Sequence, residues 1–361
     1  MKIPQMQPWF GEEEATATAE YMRSGGWLME FRKTREFEGM IAEYTGARHC
    51  IVTNNGTISL TLAAIACGIR AGDEVVVPNY TMIATPNSVF MFGAVPVFAD
   101  VERETLCLDI EQTEAAICDK TRAIMLVNAN GRAPKSGIDA FVKLAADRKL
   151  ILIEDAAQAL GCRYRDGRHM GRAGLCGSFS FSVPKVITTG QGGALITDDD
   201  DLALRLRKLK DFGRTAGATD IHDSIGYNFK FTDLQACVGI EQMKKVAWRV
   251  ERKKDILRRY RSNLAGMNTV AFFAQDLETT TPWFVDVLCE RRDGLQAYLA
   301  EKGIGTRVMY PPINRQKAYQ RPGHHPVSEL VGERGLWLPS ASQLSDDEID
   351  TVCEAIRAFY S

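Results

Sequence analysis

Between residues 49 and 198 the chain alternates short apolar, β-branched runs with stretches of helical spacing. The runs are HCIVTNN (49–55), EVVVPN (74–79), VPVFAD (95–100), RAIMLVNAN (122–130), LILIEDA (150–156), SFSFS (178–182) and GALITD (193–198). Most are continuously apolar, which predicts strands covered on both faces. Helices fit between them, for example over 57–69 and 138–148. The pattern predicts an α/β fold built on a mostly parallel sheet of seven strands with helices on its faces. Polar or turn residues close nearly every run at its C-terminal end: Asn54–Gly56, Asn79, Asp100, Asn128–Gly131 and Asp155. In open α/β sheets ligands bind at that edge.

From about residue 241 the texture changes. A long basic helix (241–264) leads into two short strand candidates, TPWFVDVLCE and GTRVMYPP. A final helix opens at Ser345 with Glu348 as a capping box and carries Ile349, Val352 and Ile356 on one face. This predicts a large domain over 1–240 and a smaller α/β domain over 241–361, with the N-terminal segment free to pack on the smaller one. The basic run 244–259 reads as a solvated helix face, because Glu251 and Asp255 stand at helical spacing to its cations.

Three pieces carry candidate chemistry. In NNGTISLTLA a strand ends, Gly56 frees the backbone, and a helix begins at Thr57, a junction suited to phosphate. In LILIEDAAQALG, Asp155 follows an apolar strand and Gln158 lies one helical turn on. The acid serves either as a helix cap or as the partner of a cationic ring nitrogen. In FSFSVPKVITTGQGG, Ser180 points away from Phe179 and Phe181, and Lys185 follows Pro184 at the strand's end. Lys185 is either a surface cation at a strand exit or a reactive amine. The glycines at 190, 192 and 193 let the chain turn back close to a ligand. The segment is no dinucleotide fingerprint, since GQGGAL lacks the third glycine and precedes a strand.

A phosphate cradle, an acid for a ring nitrogen and one strand-end lysine are together what pyridoxal 5′-phosphate requires. A free lysine has about one neutral amine in 2,500 at pH 7, so the site must depress its pKa.

Composition narrows the partners. The net charge of −2 gives no reason to expect nucleic acid or an anionic membrane, and no run approaches the roughly 18 apolar residues of a membrane helix. Nine cysteines without a CxxC pair suit buried thiols in a reducing cytoplasm, not disulfides or a metal site. The acidic, non-apolar start predicts no secretion signal.

The ordered segments NNGTISLTLA, GIRAGDEVVVPNYT, GAVPVFADV, IEDAAQALG, FSFSVPKVITTGQGGALIT, GYNFKFTDLQACVG and RVMYPPI closely resemble the DegT/DnrJ/EryC1/StrS family of sugar aminotransferases. The resemblance covers nearly the whole chain and implies the fold-type-I aspartate aminotransferase architecture. It implies Lys185 as the lysine that bonds the cofactor and shuttles the proton, with Asp155 on the pyridinium nitrogen and Gln158 at the ring hydroxyl. Gly56, Thr57 and Ser180 would hold the phosphate. Asn228 would reach the neighbouring subunit's phosphate in a homodimer with shared sites. A lysine at 185 also separates the chain from the family branch that carries histidine there and dehydrates its sugar.

The segments ITTGQGG and GYNFKFTDLQA look most like the perosamine-type enzymes that aminate C4 of a nucleotide-linked 4-keto-6-deoxy sugar, with L-glutamate as amino donor. Against that pattern Met82 replaces a ring-stacking aromatic, leaving Met82 or Tyr80 to pack on the cofactor. Gln191 stands where glutamate is usual, and Asn128 in NANGRAP lines the sugar pocket. Lys230, Arg307 and Tyr310 are candidate contacts for substrate anions. Other members of the family act on other keto sugars or an inosose, and a non-catalytic regulator on the same fold is a further alternative.

Overall fold

A computed structural model describes residues 2–214 and 220–361. All seven apolar runs form strands of one sheet: β1 (His49–Thr53), β2 (Glu74–Pro78), β3 (Val95–Ala99), β4 (Thr121–Val127), β5 (Ile151–Asp155), β6 (Cys176–Ser180) and β7 (Gly193–Thr197). The order is β1-β7-β6-β5-β4-β2-β3. Only β7 runs against its neighbours, pairing antiparallel with both β1 and β6.

Strand periodicity sends alternate residues into two separate cores. Val52, Val76, Ile124, Leu126, Leu152 and Ile196 join one; Ile51, Val75, Val77, Met125, Ile153 and Leu195 join the other. The helices of this half are α1 (Glu12–Arg23), α2 (Arg32–Thr45), α3 (Gly56–Ala66), α4 (Ala84–Phe90), α5 (Ile110–Ala115), α6 (Ile138–Asp147) and α7 (Asp200–Lys210). Helices α2 and α6 cover the first face through Phe37, Ile41, Phe141 and Leu144. Helices α3, α4 and α7 cover the second through Leu60, Leu62, Val89, Leu202 and Leu206. Burying both faces accounts for the continuous apolar runs.

The rest of the chain adds α8 (Asp233–Lys244), α9 (Val246–Asn263), β8 (Val270–Phe272), β9 (Val285–Cys289), α10 (Arg292–Glu301), β10 (Arg307–Val308), α11 (Pro326–Arg334), β11 (Gly335–Leu338) and α12 (Asp346–Tyr360). Its strands form an antiparallel sheet in the order β10-β11-β9-β8. Ile256, Leu257, Tyr260, Val285, Val287, Leu336, Ile349, Val352 and Ile356 build its core, which Ile3 from the N-terminus joins. The Ser345–Glu348 capping box opens α12.

Two expectations need correction. The single helix over 241–264 is two, α8 and α9, separated at Lys245, whose ammonium is held by Glu13 and Glu14 of α1. Helix α8 packs on α1 and α2, whereas α9 packs on α12, so the break lets the two segments serve different partners. The basic face is also not wholly solvated, because Arg249 and Lys253 are each 3% exposed.

Two polar strand ends fasten the halves of the chain together. The Asn79 side chain exchanges hydrogen bonds with Asn314, and both Asp100 oxygens accept from the first turn of α11, at Val327 and Ser328. A buried ion pair does the same. Arg132 meets Asp286 of β9 through both guanidinium NH2 groups, at 3.1 and 2.5 Å. Removing one partner leaves the other charged and unpaired, so Asp286→Ala is expected to cost about 3–5 kcal/mol in a urea melt. A loss below about 1 kcal/mol would show that the pair is not holding the sheets together.

Candidate active site

Strand β6 ends at Ser180 and β7 begins at Gly193, so residues 181–192 form a loop at the sheet edge. The loop is closed across its base: Phe181 N–H donates to the Gly192 carbonyl at 2.8 Å and Thr189 N–H to the Phe181 carbonyl at 3.0 Å. A Cβ on Gly192 would lie 2.4 Å from Thr189 Oγ1, so the closure needs glycine there. Lys185 sits in the middle of this loop. Trp283, on the approach to β9, donates its indole N–H to the Pro184 carbonyl at 2.6 Å. Arg249 donates to the Val186 carbonyl at 3.1 Å. The peptide before Lys185 and the one after Val186 are therefore fixed.

Lys185 Nζ lies 4.1 Å from the centroid of the Trp283 ring. Its pKa is lowered to about 8, chiefly by burial; the Asp155 carboxylate opposes this and the Arg307 cation adds to it. At pH 7 roughly one Lys185 amine in ten is then neutral, some two hundred times the fraction for a free lysine.

Asp155 ends β5, beside β6, and is 5% exposed. Thr85 Oγ1 donates to Oδ2 at 2.8 Å and the Ala157 N–H to Oδ1 at 3.2 Å. Burial raises its pKa, while those donors and Lys185 pull it back down. Such an acid is short of positive charge and would be stabilised as a carboxylate by a cationic ring nitrogen.

The third piece lies at the start of α3. Asn55 caps the helix by accepting from Ile58 N–H at 3.0 Å. The Gly56 and Thr57 N–H groups have no partner among the described residues, which leaves two donors at a helix N-terminus. A Cβ on Gly56 would stand 2.9 Å from Ser180 Cβ and 3.1 Å from its hydroxyl, so only glycine lets α3 sit against Ser180. Gly56→Ala is expected to cost about 1–3 kcal/mol at this contact. If that cost falls on the cradle, the dissociation constant for pyridoxal phosphate weakens roughly 5- to 150-fold in a spectrophotometric titration. An unchanged constant would remove Gly56 from the cradle.

The other candidates divide. Arg307 and Tyr310 stand within electrostatic reach of Lys185 and Asp155 respectively. Tyr310 also packs edge-on to Trp337 at 4.7 Å. Gln158 is half-buried, and its carbonyl accepts the Asn130 N–H at 2.6 Å. Asn128 is fully buried and donates to the Tyr164 hydroxyl at 2.9 Å, leaving its own carbonyl oxygen without a partner among the described residues. Tyr80 is buried against Tyr310 at 5.9 Å, whereas Met82 is 44% exposed, with its sulfur beside the Ala84 N–H. Gln191 is exposed, and its main-chain carbonyl accepts from Gln235. Asn228 is exposed, on a segment bridged to Asp211. Lys230 pairs with Asp211 at 2.6 Å over the Phe212 ring, so its charge is already matched.

Three residues of the site were not anticipated. Thr85 holds Asp155. Asn130, in a left-handed conformation at φ 52°, exchanges two hydrogen bonds with the Phe284 main chain. Trp283 covers Lys185. Asn130 lies within the polar strand end Asn128–Gly131 and Trp283 in an aromatic pair opening an apolar run, whereas Thr85 carries no signal.

These residues fit pyridoxal phosphate: a low-pKa lysine, a buried acid at the neighbouring strand end, and a glycine-dependent cradle with two free donors. A helix-covered sheet of this order with such a site defines a pyridoxal-phosphate-dependent enzyme. The DegT/DnrJ/EryC1/StrS aminotransferase family matches residues 9–357, and the chain belongs to it. It is 35% identical to a GDP-perosamine synthase of Escherichia coli O157:H7, over 99% of each chain. It is 33% identical to another from Vibrio cholerae, over 93% of each. Among solved structures, S. venezuelae DesV superposes with a TM-score of 0.89 at 33% identity, over 96% of this chain and 94% of that one. The protein is thus a pyridoxal-phosphate-dependent sugar aminotransferase.

Proposed function

We propose that the protein moves an amino group from L-glutamate to C4 of a nucleotide-linked 4-keto-6-deoxy hexose, giving a perosamine-type amino sugar. The observation that carries the reaction is the Lys185 amine, lowered to about 8 and placed in reach of Asp155. The sugar assignment rests on the GDP-perosamine synthases that match end to end.

Bound pyridoxal phosphate supplies the electron sink that makes the donor's Cα–H acidic. Lys185 Nζ is the base that takes this proton and later returns one, a task for which a pKa near the working pH is best. Asp155 keeps the ring nitrogen protonated, and Thr85 keeps Asp155 in place. The Gly56 and Thr57 N–H groups and the Ser180 hydroxyl hold the phosphate, and Gln158 meets the ring hydroxyl. Trp283 and the closed 181–192 loop exclude water from Nζ. Arg307 and Tyr310 face the substrate side and take its anionic group; Gln191 and Asn128 contribute to the sugar pocket.

The working unit in this reading is a homodimer with Asn228 reaching the partner's phosphate. Support comes from the apolar surface around that segment and elsewhere, with Ile221, Ile225, Trp27 and Phe90 between 61% and 77% exposed. A cytoplasmic setting agrees with nine free thiols. Among the described residues no helix is long and apolar enough to cross a membrane.

The test is a mass-spectrometric screen of GDP-, dTDP- and UDP-linked 4-keto-6-deoxy sugars, a 3-keto sugar nucleotide and an inosose, each with glutamate. An amino product from the GDP-linked substrate is expected. Amination confined to a 3-keto sugar or an inosose would overturn the C4 assignment.

A further inference from the structure

Lys253, unlike the similarly buried Lys210 with its partners Glu30 and Glu38, is a buried lysine that no carboxylate meets among the described residues. It lies on α9 one turn beyond Arg249 and is 3% exposed. Its Nζ donates to two main-chain carbonyls, Trp283 at 2.8 Å and Ser340 at 2.7 Å. Burying an ammonium without a counter-ion costs several kcal/mol. Burial, with the Arg249 cation adding to it, lowers the Lys253 pKa to about 7. A methionine of similar length would avoid that cost, but it would not hold the two carbonyls.

Those carbonyls bear on the site. The indole of Trp283 holds the Pro184 carbonyl and its ring lies against Lys185 Nζ. Arg249, from the same helix, holds the Val186 carbonyl. Helix α9 therefore grips the Lys185 loop directly on one side and through Trp283 on the other.

We propose that Lys253 is a positioning residue for the Lys185 amine: it fixes the Trp283 carbonyl so that the indole covers Nζ while its N–H holds Pro184. This rests on Lys185 being the reacting amine. Two opposing effects of the ring on Lys185 have to be weighed. Its π face favours the charged amine, by about one and a half pKa units at a desolvated site. The water it excludes favours the neutral amine, and burial is the leading cause of a shift from 10.5 to about 8. Exclusion of water dominates, so releasing Trp283 raises the Lys185 pKa.

The experiment is competitive labelling of the full-length, cofactor-free protein with acetic anhydride between pH 6 and 11, reading the Lys185 peptide by mass spectrometry. In the wild type the midpoint falls at about 8. In Lys253→Met it rises by one unit or more, slowing labelling at pH 8 about fivefold or more. Trp283→Leu, which changes no charge, shifts it in the same direction. At pH 8 Lys253 is itself mostly neutral, so loss of its charge does not explain the shift. Lys254→Met, beside it and paired with Glu251, leaves the midpoint in place. In the loaded enzyme Lys253→Met lowers kcat about tenfold with KM within about twofold, as expected for a misplaced reacting group.

A midpoint still at about 8 in folded Lys253→Met overturns the proposal, whatever Trp283→Leu does. Should the methionine variant fail to fold, Lys253→Leu, which also lacks a donor, replaces it; an unshifted midpoint there overturns the proposal equally. If the wild-type midpoint is low but the loaded protein shows no cofactor band, the cofactor reading fails while the positioning of Lys185 stands.

Discussion

Lys185→Ala is expected to lower kcat by roughly ten-thousand-fold or more while leaving the melting temperature nearly unchanged. The rate effect is large because two tasks fall on one atom. In the proposed mechanism Nζ would bond the cofactor and would also move the proton on which each half of the transamination depends. No other base stands ready among the described residues near it. Asp155 is engaged with Thr85 and the Ala157 N–H, burial raises the Tyr310 pKa, and the Arg307 guanidinium offers no acceptor. The fold effect is small because Trp283 and Arg249 hold the main chain of the loop, not the lysine side chain. Stopped-flow or steady-state assay with glutamate and a keto-sugar nucleotide reads the rate. Activity within tenfold of the wild type would mean that another group moves the proton.

Asp155→Asn is expected to cost about a hundred- to thousand-fold in kcat, or about 3–4 kcal/mol at the transition state. The amide fills the same space and can keep the Thr85 contact, so the variant removes charge and little else. Asp155 is the residue that would keep the bound ring nitrogen protonated, so without its carboxylate the cofactor would supply much less of the electron sink that the reaction needs. The buried setting makes the effect large, because a charge interaction that excludes water is screened far less than one at the surface. The absorbance of the loaded variant and its kcat read the same event. A variant with normal kcat would place the ring nitrogen's partner elsewhere.

Much of the fold could be read from strand texture. Runs such as VVV and ILI are apolar at every position because the sheet buries both faces, and that requirement is visible residue by residue. Strands β8 and β11 were not legible: VAF is three residues long, and GLWL follows a charged helix without a turn signal of its own. The break at Lys245 could not be seen either, since Glu13 and Glu14, which hold it, lie more than two hundred residues away.

The site divides along the same line. Asp155, Gly56 and Ser180 lie at strand or helix ends, where local sequence marks a change of element; Lys185 lies five residues past its strand, in the loop that Pro184 and the glycines mark, and the structure brings all four to one sheet edge. Trp283 opens an apolar run and Lys253 lies within a basic one. What draws them to the site is a hydrogen bond to a main-chain carbonyl, and carbonyls are the same in every residue. Helical periodicity alone reads a lysine on such a helix as solvated. Only the tertiary structure reveals the two acceptors that make its burial tolerable.

The central claim is that Lys185 forms the bond to pyridoxal phosphate. It is tested most directly by borohydride reduction of the loaded protein, followed by peptide mapping. The account predicts loss of an absorbance band at ~420 nm and a phosphopyridoxyl adduct on the peptide carrying Lys185 alone. An adduct on Lys253, the other lysine with a strongly lowered pKa, or no adduct at all, would contradict it.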